Sequence, residues 1–402
     1  MFTRRQLLRR TAAATSFFAL NGTLPGLFAR SALLAAQADQ NDHVLVVVEL
    51  TGGNDGLNTL IPFENDLYHQ NRPVLRIPKE NVIPLTDQVG FHPAMPGMAE
   101  LFKAGKLCVV QGVGYPDPSR SHFRSTEIWH TGNPTKGSSA GWLGRILDFQ
   151  LNPNDDRMRG LSLADYLPIA LQAEKVAVPV INELEQAAAM DLSSPQQKLL
   201  RDLSTRPATS AEPIGYLRRQ AAAAYFTFEQ IRKKDPSFQS SGDYPGEFGK
   251  QLRRAAEIIS ADLGVRLLFV TQGHYDTHRD QHPHQPNLLG ELSEALVAFQ
   301  KDLEDHRVAD KVIVLVFSEF GRRVQENACA GTDHGAASCM FLMGARIQGG
   351  LAGSYPSLAS LDDGDLIHTV DFRSVYATLM EKWLGCPSEK LMGQKFPLLK
   401  IV

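Results

Sequence analysis

Five short apolar runs, each giving way to a polar stretch, constrain this chain more than any other feature. They are "HVLVVVEL" (43–50), "KLCVVQGVG" (106–114), "KVAVPVI" (175–181), "VRLLFVTQG" (265–273) and "KVIVLVFSEFG" (311–321). Runs of this length read as strands buried on both faces, as in a sheet covered by helices. Helical spacing lies between several of them, most clearly in "LLGELSEALVAFQKDLEDH" (288–306). Strand, helix, strand in sequence predicts an α/β fold, a doubly wound and mainly parallel sheet with helices on both faces. Residues 183 to 260 are rich in Ala, Gln, Arg and Glu, and predict a mostly helical insertion that would cap a site.

The start of the chain carries a different signal. "MFTRRQLLRRTAAATSFFAL" matches the twin-arginine export pattern, with Arg4 and Arg5 leading a basic segment and Ala36-Gln37-Ala38 offering a cleavage site. The apolar stretch between them is broken by Asn21, Gly22, Pro25, Gly26 and Arg30. It is too short to span a membrane, which takes roughly 18 apolar residues. The expectation is a signal peptide over residues 1–38, a domain over 39–402, and a periplasmic or extracellular location. The twin-arginine export machinery is then one partner. A net charge of −3 and 21% charged residues show neither the basic excess of a nucleic-acid binder nor a polybasic membrane patch. Four cysteines without a CxxC pair exclude a disulfide framework and a thiolate zinc site. Cys329 and Cys339 could pair in an oxidising compartment.

In a sheet of this kind, ligands bind beyond the carboxyl ends of the strands. The first run leads to Asp55, the second to "YPDPSRSHF", the fourth to Asp276 and His278, and the last to Ser318-Glu319. Asp276 and His278 are one residue apart, so extended backbone points both side chains the same way. "GTDHGAAS" (331–338) adds Asp333 and His334 in a glycine-flanked loop. Imidazole and carboxylate suit zinc, while carboxylate-rich sites suit magnesium, calcium or manganese. One or two divalent ions, zinc first, are therefore expected at this edge. Ser121 has two readings: the N-cap of the helix that follows it, or a nucleophile facing free N–H groups and the positive helix end. Arg120 and Arg322 are candidates to clamp an anion. His92, in "GFHPAMPGM", either packs and caps or touches substrate.

The blocks "ELTGGNDGLNTLIP", "GFHP", "GYPDPSRSHFRSTEIW", "GHYDTH", "FSEFGR", "GTDHG" and "TVDFRSVYATLMEKWLG" resemble, in this order, the exported family known as domain of unknown function 1501. That family is similar in turn to the alkaline phosphatase and sulfatase superfamily of metal-dependent hydrolases. The resemblance implies an alkaline phosphatase-like fold and hydrolysis of phosphate or, second, sulfate esters. The nucleophile would be a serine or a metal-activated water, and the substrate a small anionic ester or a decorated polysaccharide. It further implies metal ligation by Asp55, Asp276, His278, Glu319 and His334, with Ser121 as nucleophile. Two positions depart from the superfamily pattern. Phe320 stands where a histidine ligand belongs, so a second metal would need Asp333 or His282 as substitute. Pro116 replaces the cysteine of the sulfatase motif and cannot become its nucleophile. The alternative implied by these departures is a non-catalytic envelope protein for binding or assembly, keeping the fold with a degraded metal site.

Overall fold

The apolar run that follows His43 forms the central strand of the sheet. In this computed structural model, which describes residues 42–135, 140–151, 159–181 and 238–402, the strand β1 (Val44–Leu50) is buried throughout. The chain divides after His43, and the unit Val44–Val402 contains all that follows. The main sheet continues with β2 (Leu107–Gly114), β3 (Gly160–Ser162), β4 (Leu267–Gln272), β5 (Val312–Phe317), β6 (Ser338–Gly344), β7 (Gly350–Ala352) and β8 (Val370–Asp371). Their spatial order is β7-β2-β6-β5-β1-β4-β3, with β8 also paired to β2. Only β6 is antiparallel to its neighbours, β2 and β5; the other pairings are parallel. This reversal matters for the site. It puts the start of β6 at the edge where β1, β2, β4 and β5 end, so the loop before β6 meets the loops after them.

Six helices carry the covering layers: α1 (Pro96–Lys103), α2 (His122–Thr131), α3 (Trp142–Gln150), α4 (Gly246–Ser260), α5 (Gln281–Asp305) and α6 (Phe372–Thr378). Alternate residues of a strand face opposite sides. Val44, Val46 and Val48 accordingly pack with Met98, Leu252, Leu296 and Phe299, from α1, α4 and α5. Leu45 and Val47 pack with Trp129, Trp142, Ile146 and Phe372, from α2, α3 and α6. The sheet is therefore mixed but mostly parallel, with helices on both faces. Trp129 is stacked between Phe317 (centroids 5.4 Å) and Phe372 (4.2 Å). Such aromatic pairs add about 0.5–1.5 kcal/mol each beyond area burial. They fix α2 against the end of β5, and thereby fix the residue that opens α2, His122.

Several expectations change here. The run 175–181 makes a single parallel bridge, Val180 to Ser162, because Pro179 has no N–H to donate to a ladder. The edge position beside β4 belongs instead to β3. The helix expected from 288 begins at Gln281, so His282 and His284 lie on its first turns. Cys329, exposed, and Cys339, buried, are both free. The expected signal peptide falls outside the described residues, as do residues 183–237 of the insertion; the rest of the insertion includes α4. Among the described residues, no helix is long and apolar enough to cross a membrane.

Candidate metal centre

At the carboxyl edge of the sheet, His122, Asp276 and His334 bring one ligand atom each to within 4.8 Å of one another. His122 opens α2, Asp276 follows β4, and His334 precedes β6. His278 joins them: its Nε2 lies 2.9 Å from Nε2 of His334 and 3.2 Å from Oδ1 of Asp276. His334 Nε2 is also 3.2 Å from Asp276 Oδ1, and His122 Nε2 is 3.6 Å from Asp276 Oδ2.

The other ring nitrogen of each histidine explains this convergence. His122 Nδ1 is bound to Glu319 Oε1 at 2.8 Å, His278 Nδ1 to Asp333 Oδ1 at 2.9 Å, and His334 Nδ1 to the carbonyl of Arg120 at 2.8 Å. Carboxylates and carbonyls accept, so each Nδ1 carries the proton and each Nε2 keeps its lone pair. Three lone pairs and a carboxylate then face one point. His122 Nε2 is buried and makes no hydrogen bond. Two facing imidazole nitrogens at 2.9 Å repel unless a proton or a cation lies between them. Four donors at zinc distance, roughly 2.0–2.1 Å from the ion, sit on the order of 3.3 Å apart in a tetrahedron. The four spacings given above, 2.9 to 3.6 Å, bracket that figure, and histidines oriented by second acceptors are the usual arrangement of a zinc ligand.

The residues around this point are held by the glycine turn after β1. Gly52, at φ +113°, donates its N–H to Glu319 Oε1 at 2.9 Å, and a Cβ there would lie 2.5 Å from the backbone nitrogen of Asp276. Gly53, at φ +79°, leaves room for the ring of Phe320. Phe320 is buried and packs on His122 and His334, with centroids 4.9 and 4.8 Å away. Arg322 is buried beneath: it donates to the carbonyls of Gly53 and Thr332 at 2.7 Å, to that of Gly52, to Tyr275 O at 2.9 Å and to Asp276 Oδ1 at 2.8 Å. Burial raises the Asp276 carboxyl, but the hydrogen bond and charge of Arg322 outweigh it, and the group is held down at about 2. The hydrogen bond to Glu319 is what raises the His122 imidazole, whereas burial lowers that of His334. One turn along the same face of α2, Ser125 Oγ donates to the Glu319 carbonyl at 2.5 Å and ties the helix to the loop after β5.

Placed on this frame, the residues expected from sequence separate into groups. Asp276, His278 and His334 stand together. Glu319 and Asp333 do not face the point directly; each holds a histidine from behind. Asp55 is elsewhere and is corrected as a ligand. It is buried, with Arg72 on both oxygens at 2.6 and 3.1 Å and Gln281 on Oδ2 at 2.5 Å. Burial raises its carboxyl, yet Arg72 more than offsets this, and the net shift is downward. A carboxylate so satisfied has no lone pair aimed at a shared ion. His282 bonds to the carbonyl of Val74 at 2.9 Å and does not replace the histidine missing at Phe320.

The substrate candidates are also revised. Arg322 is spent on backbone carbonyls. Arg120 is paired with Asp365 Oδ2 at 2.7 Å and Asp363 Oδ2 at 2.9 Å. His92 is buried, accepts the N–H of Ala94 at 3.1 Å, and is pushed down to about 4 by burial. It packs and caps. Ser121 sits at the N-cap of α2 without making a capping bond, exposed and adjacent to His122.

Sequence reasoning missed His122. The residue lies inside "PSRSHF", next to the serine that drew attention, and its signal was the same strand-end rule applied one position further. It could not be separated from Ser121 without knowing that Glu319 lies behind it.

Residues 110–393 match the family described as "Protein of unknown function (DUF1501)". No curated protein matches the chain. Among solved structures, it is similar to a sulfatase from Pseudoalteromonas sp. at 11% identity, covering 91% of this chain and 71% of that chain, with TM-score 0.39. It is similar to the C-terminal periplasmic domain of EcEptC from Escherichia coli, in complex with Zn, at 9% identity over 76% and 73% of the two chains, with TM-score 0.37. A protein in the alkaline phosphatase superfamily from Vibrio parahaemolyticus matches at 13% identity over 77% and 62%, with TM-score 0.31. What the site can do follows from its own side chains.

Proposed function

The chain belongs to the DUF1501 family, and from that premise we propose that it is an exported, metal-dependent hydrolase of phosphate esters, with sulfate esters second. The observation that carries this reading is the convergence of His122, His278 and His334 Nε2 with Asp276, each imidazole fixed from behind by an acceptor. A donor set of three imidazoles and one carboxylate fits zinc before magnesium or calcium. A bound divalent cation would supply Lewis-acid stabilisation of the ester anion and lower the pKa of a nucleophilic oxygen. Among the described residues, His122, Asp276 and His334 bring ligand atoms close enough to share an ion, and His278 Nε2 lies 2.9 Å from His334 Nε2.

The chain's own groups would do the rest. Glu319, accepting from His122 Nδ1, keeps that imidazole in the tautomer with its Nε2 lone pair outward and strengthens it as a donor. Asp333 and the Arg120 carbonyl do the same for His278 and His334. Asp276, paired with Arg322, is the one carboxylate facing the point, and with Glu319 and Asp333 behind the histidines it makes the site acidic, which favours a divalent cation there. Ser121, exposed at the start of α2 and next in sequence to His122, would be the nucleophile toward an ester bound there, with the first N–H groups of the helix beside it. Arg120 and Arg322 hold the frame rather than the substrate.

A second reading, a non-catalytic envelope protein that binds through the same centre, is favoured by Phe320, which fills the place of a ligand with a buried ring. The two are separated by assaying the purified chain, with zinc, manganese, magnesium or calcium, against aryl phosphates, phosphodiesters and sulfates. The hydrolase reading expects turnover that is lost in His334→Ala and cut at least about tenfold in Ser121→Ala when serine is the nucleophile. No turnover with any metal, in protein that binds metal, supports the binding reading. Turnover undiminished in His334→Ala would remove the metal centre from the reaction.

A further inference from the structure

Two loops carry the acceptors that orient His334 and His278, and one tight turn holds both loops. Asp363 and Gly364, at φ +50° and +84°, join the two-residue strands Leu361–Asp362 and Asp365–Leu366, which pair antiparallel. Positive φ at both central residues is the hairpin turn that Asp-Gly favours. Asp365 is 3% exposed, and Leu366 beside it is buried in one apolar cluster with Leu57, Ile61 and Val324. The turn is thereby anchored to the body of the domain.

Arg120 and Arg323 both reach this turn. Arg120, in the loop before α2, sets Nε and Nη2 on Asp365 Oδ2 at 2.8 and 2.7 Å, and Nη1 on Asp363 Oδ2 at 2.9 Å. Arg323, in the loop after β5, donates from Nη1 to the Asp363 carbonyl at 2.7 Å, and its Nη2 lies 3.4 Å from Asp363 Oδ2. The backbone atoms of the same two arginines meet the supports of the cluster. The Arg120 carbonyl accepts from His334 Nδ1 at 2.8 Å. The Arg323 N–H donates to the carbonyl of Asp333 at 3.0 Å, and Asp333 Oδ1 holds His278 Nδ1. The loop from Pro116 to Ser121 is irregular. Its Ser119 N–H bonds to Tyr115 Oη at 2.9 Å and its Ser121 N–H to Ser119 Oγ at 3.3 Å, which leaves the Arg120 peptide to be placed by its side chain. A guanidinium bound at several points fixes direction as well as distance.

We propose that the Asp363–Gly364–Asp365 turn is a positioning element of the metal centre, aiming His334 through Arg120 and His278 through Arg323 and Asp333. Asp365 is its main positioning residue; it acts through Arg120. This role rests on reading the histidine cluster as a metal centre.

The test uses the full chain, stripped of metal with chelator. Zinc affinity is read by competition with a chromophoric chelator, and cobalt(II) is added separately because its visible spectrum reports ligand geometry. Removing a direct support of a metal-bound histidine costs about 10–100-fold in affinity, so one step further out Asp365→Asn should cost about tenfold and Asp363→Asn about threefold, each with an altered cobalt spectrum. Asp363 is exposed and asparagine tolerates its positive φ, so this variant remains informative where Asp365→Asn does not fold. Asp362→Asn removes the same charge from the same hairpin but from an exposed carboxylate paired with neither arginine, and should keep affinity within about twofold and the spectrum unchanged. A lower unfolding midpoint in Asp365→Asn with zinc affinity and cobalt spectrum as in the wild type would make the turn merely structural and overturn the proposal. Equal losses in all three variants would reduce the effect to charge and overturn it too. A wild-type chain that takes up neither metal would remove the metal-centre reading and this role with it. Metal binding that responds to the variants as expected, in a chain that hydrolyses no ester, would remove the hydrolase reading alone.

Discussion

Two aspartates at the same sheet edge, Asp55 and Asp276, have opposite surroundings, and the difference shows which carboxylate is left able to take an ion. Asp55 follows β1, is fully enclosed, and has both oxygens bound by Arg72 and Gln281. Asp276 follows β4, is about half exposed, and shares Arg322 with a set of imidazoles whose outward nitrogens lack protons to give. The first is a closed electrostatic unit. The second is oriented by the fold but not satisfied by it. A strand-end carboxylate is thus a ligand only where the frame leaves its lone pairs unspent.

The largest effect expected from this contrast is on stability. Asp55→Asn leaves the buried Arg72 charge without its partner, and should cost about 3–5 kcal/mol in urea unfolding while metal affinity changes less than about twofold. Loss of metal with little loss of stability would reverse the two roles. Next comes His334→Ala. It should lower metal affinity by more than about 100-fold, read by competition with a chromophoric chelator, and should shift the unfolding midpoint of the metal-free chain only slightly. Glu319→Gln is expected to be milder. It keeps the shape but weakens the hold on His122 Nδ1, and should cost about 10–100-fold in metal affinity.

The smallest effect concerns His92. Its folded-state value, about 4, lies below the ordinary 6.5. A histidine kept neutral by the fold contributes stability that is fully present above 6.5 and is lost as pH falls towards 4, because only the unfolded chain takes up the proton in that window. His92→Asn, which keeps an acceptor for the Ala94 N–H, should flatten the pH dependence of unfolding between 6.5 and 4. An unchanged slope would show that His92 titrates normally.

The sequence carried the frame well. Long apolar runs such as Val44–Leu50 and Val312–Phe317 can only be buried, so the central strands were legible from composition alone. The short edge strand Gly160–Ser162 has too few residues for periodicity to register, and Pro179 disguised the neighbouring run as a strand. For the site, the glycine-flanked loop pointed to His334, and the strand-end rule pointed to Asp276 and His278 because it depends only on where strands stop. It could not separate Asp55 from them, since the decisive neighbour, Arg72, is 17 residues away and reads as an ordinary polar residue. Nor could it assign Glu319 its place behind His122, a contact across 197 residues of sequence. Which atoms are satisfied is a property of the fold, and that property decided both cases.

The central claim is that the histidine cluster holds a cation. Elemental mass spectrometry on chain purified without chelator or histidine tag tests it most directly, with His122→Ala/His334→Ala as the paired sample. The account predicts one divalent ion per wild-type chain, zinc first, and none in the double variant. No ion in the wild type after reconstitution, or the same content in both samples, would contradict it.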